Sequence, residues 1–339
     1  MSGALDRRAW LKSGGALLGA ALGGASTPSD AAPPDAVRGA VAASVMGTPD
    51  PTEVWPLWPG QPPGGVPQTL REEIVERPHP LGLRDRIVRG VRAPLLTLFR
   101  PRRARGGAVL IIPGGGYQHV VIDKEGFEAA RWLAANGVVA AVLRYRLPGD
   151  GWLADADAPL QDAQRALRLL RSRAVDLGVQ AERIGTLGFS AGGHLAGRLA
   201  LETDRNSYAP LDAVDTEAAR VAFAALLYPV VTMDAAQAHG GSRARMLGAT
   251  PDAARTLRYS LEQQAGATAP PMFLLHAADD VSVPVGNSLR LHAALLRART
   301  EAELHVFATG GHGFGLRAIE GKPVAAWPAL LQQWARRWL

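Results

Sequence analysis

The 339-residue chain contains no cysteine. This absence excludes disulfide bonds, thiol nucleophiles and thiolate metal sites. The spacing of the histidine and acidic residues also matches none of the common metal-binding patterns. We therefore expect no metal site.

Lysine is nearly absent, because 34 of the 37 basic residues are arginine. The net charge is +6, but the arginines are scattered, and their densest group lies at 100–105 in a predicted surface loop. A nucleic-acid-binding protein typically concentrates its basic residues in one stripe of a recognisable module. We therefore expect no nucleic-acid partner.

The apolar stretch near the N-terminus, residues 13–25, is too short and too weakly apolar to span a bilayer comfortably. It follows the pair Arg7-Arg8, and small residues suited to cleavage stand at 23–25 and 29–32. This order resembles a Tat-type signal peptide over residues 1–32. It predicts a periplasmic or secreted protein with no stable membrane anchor; a basic terminus without a targeting role is the alternative.

Residues 33–84 form a segment rich in proline and glycine, which is typical of extended chain laid over a surface. Trp55 and Trp58 in this segment either dock on the neighbouring domain or line a cleft. Residues 85–339 are predicted to form one α/β domain, which carries the motifs described below.

From residue 85 onward, apolar runs alternate with amphipathic stretches. The alternation predicts a mostly parallel, doubly wound sheet with helices on both faces. We predict strands over 86–91, 95–99, 108–112, 138–145, 184–189, 221–228, 272–276 and 303–307, and helices over 125–136, 159–177, 191–201, 285–299 and 323–339. Residues 232–269 interrupt this rhythm, and we interpret them as a small cap inserted between two strands.

The most informative motif is Gly-Phe-Ser-Ala-Gly-Gly at 188–193, which joins a predicted strand to a predicted helix. A serine on such a turn has a strained backbone, and only small residues two positions to either side let the turn close. Gly188 and Gly192 meet that requirement. Ser190 is therefore the candidate nucleophile.

A serine hydroxyl needs a base, and the base needs an acid that orients it. His312 lies among glycines after the predicted strand 303–307, and the pair Asp279-Asp280 follows the predicted strand 272–276. Residues just past the carboxyl ends of parallel strands meet at one edge of the sheet, and the order Ser, Asp, His is that of α/β-hydrolases. We prefer Asp280 as the acid because its Asp-x-x-Val-Pro setting resembles that of many hydrolases; Asp279 is the alternative.

Three successive glycines, at 114–116, follow the predicted strand 108–112. Such a loop lets backbone N–H groups face a developing oxyanion. We assign the oxyanion hole to the N–H groups of Ala191 and of Gly115 or Gly116. A phosphate-binding loop is disfavoured, because neither a Gly-Lys-Ser/Thr ending nor a G-x-G-x-x-G spacing is present.

With these motifs the sequence is similar to the acetylxylan-esterase-like α/β-hydrolases, the BD-FAE-like esterases associated with xylanases. The likeness runs from about Trp55 to the C-terminus. The matching residues are Pro113-Gly114-Gly115-Gly116-Tyr117, Lys124-Glu125-Gly126, Tyr145-Arg146-Leu147, Asp162-Ala163, Arg165-Ala166, Gly188-Phe189-Ser190-Ala191-Gly192-Gly193-His194, Asp279-Asp280, Val283-Pro284 and Gly311-His312-Gly313-Phe314-Gly315-Leu316.

The resemblance implies an α/β-hydrolase fold, a catalytic domain over 85–339, and hydrolysis of small acyl esters, particularly acetyl groups on sugars, without a cofactor. It implies that Ser190 attacks the ester, His312 moves the proton and Asp280 orients His312. The expected partner is a small-molecule or oligosaccharide acyl ester, and Tyr117 and Trp152 are candidates for contact with the sugar or for structural roles. A general carboxylesterase, a lipase-like enzyme, a serine peptidase and a non-catalytic binding protein of this fold are the alternatives; the polar cap disfavours long acyl chains.

Overall fold

The computed structural model describes residues 51, 53–79 and 82–339. The signal peptide predicted over residues 1–32 lies outside the described residues and stays a prediction. The first part of the predicted extended segment, residues 33–50, also lies outside them.

The described chain is organised around one large and one small β-sheet. The strands are β1 (Glu53–Pro56), β2 (Glu73–Glu76), β3 (Arg86–Arg89), β4 (Leu95–Phe99), β5 (Gly106–Ile112), β6 (Val120–Val121), β7 (Val139–Arg144), β8 (Val179–Phe189), β9 (Ala224–Leu227), β10 (Met272–Ala277) and β11 (Ala302–Phe307). Eight strands form the large sheet in the order β1-β4-β7-β5-β8-β9-β10-β11, and β2-β3-β6 form the small one.

The direction of the strands places the carboxyl ends of six neighbouring strands, β7, β5, β8, β9, β10 and β11, at one edge of the large sheet. The pairs β1–β4 and β4–β7 are antiparallel. Every pair from β7 to β11 along the sheet is parallel. The loops that follow β5, β8, β9, β10 and β11 therefore emerge side by side, which is where α/β proteins bind their ligands.

Helices cover both faces of the large sheet. They are α1 (Glu128–Ala135), α2 (Ala158–Ser172), α3 (Ala174–Leu177), α4 (Ala191–Leu201), α5 (Gly240–Leu247), α6 (Ala253–Tyr259), α7 (Gly286–Arg297) and α8 (Trp327–Ala335), with 3-10 turns at Asp155–Asp157, Ala213–Thr216, Leu261–Gln263 and Pro323–Ala326 and a π-helical turn at Asp123–Phe127. Alternate side chains of a strand point to opposite faces. In β5, Leu110 and Ile112 accordingly lie in one hydrophobic core with residues of α2 and α4, whereas Val109 and Ile111 lie in a second core with residues of α1 and α8. The predicted doubly wound α/β fold is confirmed.

Two predicted helices differ in extent from those observed. The helix predicted over 159–177 is interrupted at Arg173, whose backbone is not helical (φ −112°, ψ 17°). The helix predicted over 323–339 opens with a 3-10 turn, and its α-helical part starts at Trp327. Pro328 stands in the first turn of α8, where the missing N–H of proline has no helical partner to lose.

The described part of the N-terminal segment is integrated into the domain. β1 pairs with β4 at the end of the large sheet. One strand of the sheet therefore lies N-terminal to residue 85, where the domain was predicted to start. Trp55 and Trp58 are buried, and Nε1 of Trp58 donates a hydrogen bond to Oδ1 of Asp162 (2.9 Å). Of the two alternatives for these tryptophans, the structure shows that they dock on the domain.

The segment interpreted as a cap lies between β9 and β10 and contains α5 and α6. Polar contacts hold it against the sheet domain. Arg245 on α5 pairs with Asp150, and the carbonyl of Tyr259 lies 2.7 Å from Nε2 of His194 on α4. The cap thus contacts α4, the helix that directly follows Ser190.

Candidate active site

Ser190 lies between the last residue of β8 and the first residue of α4. Its backbone has φ 54° and ψ −120°, a conformation rare for a residue with a side chain. The Ser190 N–H donates to the carbonyl of Leu227 (3.0 Å), and its carbonyl accepts from the N–H of His194 (3.1 Å). A β-carbon at Gly188 would lie 2.5 Å from the carbonyl oxygen of Gly192, so the turn closes only because residue 188 has no side chain. The strained serine turn predicted from the sequence is present.

Ser190, His312 and Asp280 form one hydrogen-bonded line. Oγ of Ser190 lies 2.9 Å from Nε2 of His312. Nδ1 of the same ring lies 2.7 Å from Oδ2 of Asp280. In such a line the carboxylate holds the imidazole with its proton on Nδ1, and Nε2 can accept the hydroxyl proton as the oxygen attacks a carbonyl. The three loops therefore bring together the groups needed for acyl transfer.

Asp280 is held in the ionised form by its surroundings. Its Oδ1 accepts the N–H groups of Ser282 and Val283, both at 2.9 Å. Burial alone would raise the pKa of Asp280, but hydrogen bonds from His276 and His312 outweigh burial and hold the pKa well below its usual range. His276 is fully buried in β10, and its Nε2 lies 3.3 Å from Oδ2 of Asp280. No motif in the sequence points to this role for His276.

Asp279, the alternative acid, makes different contacts. Its Oδ1 accepts the N–H groups of Gly310 (2.9 Å) and Gly311 (2.8 Å). These glycines directly precede His312 in the loop after β11. Asp279 therefore braces the histidine loop, while its neighbour Asp280 contacts the imidazole itself.

The glycine loop that holds two of the predicted oxyanion donors approaches the serine at Gly114, where a β-carbon would lie 3.0 Å from Cβ of Ser190. Gly115 and Gly116 have φ values of 127° and 63°, which favour glycine. In the part of the chain that the structure describes, their N–H groups donate to no backbone carbonyl. Ala191 is the first residue of α4, so its N–H also has no partner within the helix. All three predicted donors are therefore available to bind an oxyanion.

Two further buried side chains link the oxyanion loop to the histidine loop. Glu125 accepts the N–H of Gly114 at Oε2 (2.9 Å) and the hydroxyl of Tyr228 at Oε1 (3.0 Å). The Tyr228 hydroxyl also accepts the N–H of Gly315 (3.2 Å), and its ring packs edge-on against His312 with centroids 5.0 Å apart. Neither residue was assigned a role from the sequence. Tyr228 directly follows β9, just as the other site loops begin at strand ends. This position is the sequence signal from which Tyr228 could have been predicted.

Tyr117 and Trp152 do not present surface to a sugar. Tyr117 is fully buried, and its hydroxyl hydrogen-bonds Nδ1 of His194 (2.8 Å). Burial lowers the pKa of His194 to about 4, so this imidazole is neutral and can accept from the hydroxyl. Trp152 is also buried, with the guanidinium of Arg146 lying 5.0 Å from its ring centroid. The proposed sugar contacts of both residues are corrected in favour of the structural alternative, because neighbouring side chains cover them.

No metal-binding cluster is present in the described residues. Across 51, 53–79 and 82–339, no group of three or more histidine, cysteine or acidic side chains could hold a metal ion. Over the same residues, no helix is long and apolar enough to cross a membrane.

The chain matches one protein family and two curated relatives. The family model of BD-FAE matches residues 96–295. An acetylxylan esterase of Xylanibacter ruminicola is 31% identical over 224 residues, which make up 65% of this chain and 43% of that protein. Endo-1,4-β-xylanase B of Butyrivibrio fibrisolvens is 33% identical over 205 residues, 60% of this chain and 32% of that protein. The chain thus spans less than half the length of either relative.

Solved structures show the same fold. The acetyl ester-xyloside bifunctional hydrolase of Caldicellulosiruptor lactoaceticus has a TM-score of 0.69 and 32% identity, covering 86% of this chain and 98% of that one. Ligand-free esterase 2 of Thermogutta terrifontis has a TM-score of 0.58 and 24% identity, covering 83% of this chain and 96% of that one. The second likeness is one of fold alone. Both agree with the α/β-hydrolase fold predicted from the sequence.

The close approach of α4 to β5 predicts that Gly192→Ala is strongly destabilising. A β-carbon at residue 192 would lie 2.1 Å from the carbonyl oxygen of Ile112, and backbone cannot swing away as a side chain can. We expect urea unfolding to show a loss of roughly 3 kcal/mol or more. Gly266→Ala is the control, because no heavy atom lies within 4 Å of its added β-carbon. Similar unfolding midpoints for the two variants would contradict this account of the turn.

Proposed function

Since this chain belongs to the BD-FAE family of acetylxylan-esterase-like α/β-hydrolases, we propose that it is a serine esterase acting on short acyl esters, acetyl esters of sugars in particular. The observation that carries the proposal is the line from Asp280 through His312 to Ser190, with distances of 2.7 and 2.9 Å. A line of this kind beside available backbone N–H groups supplies a nucleophile, a base and an oxyanion site together.

In the proposed reaction, Oγ of Ser190 attacks the ester carbonyl carbon while Nε2 of His312 takes the hydroxyl proton. The carbonyl oxygen becomes an oxyanion that the N–H groups of Ala191 and of Gly115 or Gly116 stabilise. His312 then gives its proton to the leaving alcohol, and the acyl group stays on Ser190. A water molecule, deprotonated by His312, attacks the acyl-enzyme, and collapse of the second tetrahedral intermediate releases the acid and restores the serine hydroxyl.

The sugar part of the proposal is supported by the relatives. Of the matched proteins, one is named an acetylxylan esterase, one an acetyl ester-xyloside bifunctional hydrolase and one an endo-1,4-β-xylanase. The cap also carries charged residues such as Asp234, Arg243 and Arg245. A lipase-like enzyme would instead be expected to place a broad apolar surface next to its site for a long acyl chain.

A series of p-nitrophenyl esters with acyl chains of increasing length tests both the activity and the acyl preference. We expect kcat/KM to be highest for the acetyl ester. Ser190→Ala should lower kcat by about four orders of magnitude or more, because the nucleophile is lost, while the thermal unfolding midpoint stays close to that of the wild type. Ser172→Ala is the matched control, since Ser172 is exposed at the end of α2.

Two outcomes would argue against the proposal. Full activity in Ser190→Ala would refute the serine mechanism. A rate maximum at long acyl chains would favour the lipase-like alternative over the acetylesterase.

We also propose that residues 1–32 direct export through the Tat route, because the arginine pair, the apolar stretch and the small residues follow one another in the expected order. Export suits an enzyme whose acetylated polysaccharide substrate lies outside the cell. Replacing Arg7 and Arg8 by lysine should leave the protein in the cytoplasm, as measured by esterase activity and immunoblotting of cell fractions. The same replacement at Arg102 and Arg103, which are exposed, is the control. Equal delivery of both variants to the periplasm would contradict the proposal.

A further inference from the structure

His239, the residue before α5 of the cap, lies beside the proposed oxyanion loop. A β-carbon at Gly116 would lie 3.4 Å from Cε1 of His239, so the ring packs directly over that glycine. The imidazole is half-buried. Burial lowers the pKa of His239, the charge of His312 lowers it further, and Asp280 opposes these effects. With its pKa lowered, the ring is neutral near pH 7.

The hydrogen bonds of His239 define which of its nitrogens carries the proton. Nδ1 accepts the N–H of Ser242 (3.1 Å) at the start of α5, and Oγ of Ser242 also lies 2.9 Å from Nδ1. A neutral imidazole that accepts at one nitrogen carries its proton on the other. Nε2 of His239 is therefore an N–H donor. In the described part of the chain this donor has no protein acceptor.

A second polar side chain flanks the same spot. A β-carbon at Gly241 would lie 3.0 Å from Nε2 of Gln118 and 3.2 Å from Cε1 of His239. Gln118 follows the oxyanion loop and is exposed. Its amide supplies donors and an acceptor next to the single donor of the imidazole. Two uncharged hydrogen-bonding side chains therefore lie next to the proposed oxyanion loop. His239 comes from the cap, and Gln118 comes from the sheet domain.

We propose that His239 and Gln118 form a subsite that hydrogen-bonds hydroxyl groups of the sugar on the alcohol side of the ester. An acetyl group extends only one bond beyond the carbonyl carbon, so most of the substrate surface open to side chains around the oxyanion loop belongs to the alcohol part. Neutral donors and acceptors suit hydroxyl groups, which donate and accept in turn. The inference rests on the proposed function and extends it to residues that recognise the leaving group.

The test compares two substrates in each variant. Acetylated xylo-oligosaccharides carry hydroxyl groups on the alcohol side, whereas p-nitrophenyl acetate carries none. His239→Asn keeps an acceptor for the Ser242 N–H, because asparagine is a favoured residue before a helix, but it lacks the reach of Nε2. We expect the ratio of kcat/KM for the oligosaccharides to kcat/KM for the aryl ester to fall about 5- to 10-fold, the effect of one neutral hydrogen bond.

Gln118→Ala tests the subsite without altering the cap, and we expect the same ratio to fall about 2- to 5-fold. His292→Asn, the same substitution on α7, is the matched control and should leave the ratio unchanged. An unchanged ratio in both His239→Asn and Gln118→Ala would overturn the inference while the proposed function stands. A wild-type protein that cleaves the aryl acetate but releases no acetate from the oligosaccharides would overturn both the sugar-ester proposal and the subsite.

Discussion

The site depends on the tight turn at Ser190, where the chain passes from β8 into α4 with a positive φ. A serine in this conformation costs about 1–3 kcal/mol, which surrounding packing and hydrogen bonds must offset. Because residues 188 and 192 have no side chains, α4 comes within contact of the end of β5. That contact brings the first N–H of α4 and the glycine loop after β5 to the same place. The turn therefore fixes both the position of Ser190 and that of the proposed oxyanion site.

Buried polar side chains hold the neighbouring loops in position next to the turn. Glu125 ties the glycine loop to Tyr228, and Tyr228 in turn contacts the loop that carries His312. Asp279 fixes the start of that same loop. Buried polar groups are costly unless their hydrogen bonds are made, so a network with its bonds satisfied favours one arrangement of the loops over others. The position of His312 therefore depends on the hydrogen bonds of several loops at this edge of the sheet.

The sequence predicted which side chains meet at the strand ends better than it predicted the residues that surround them. Ser190, Asp280 and His312 follow regular strands, and strand alternation alone places such residues at one edge of a parallel sheet. Glu125 and Tyr228 contact each other across 103 positions of sequence, and such long-range packing has no local pattern. The burial of Trp152 likewise depends on Arg146, a partner that periodicity does not reveal. The β1 strand likewise depends on its pairing with β4, which local composition does not reveal.

Whether Asp280 orients the base that activates Ser190 can be measured by comparing the variants Asp280→Asn and Asp279→Asn. The two variants make the same chemical change at adjacent positions, and only the first removes the carboxylate from Nδ1 of His312. With p-nitrophenyl acetate as substrate, this account predicts a fall in kcat of about four orders of magnitude for Asp280→Asn, because the imidazole then adopts the wrong tautomer. It predicts a much smaller fall for Asp279→Asn. Equal losses in the two variants, or a larger loss in Asp279→Asn, would contradict it.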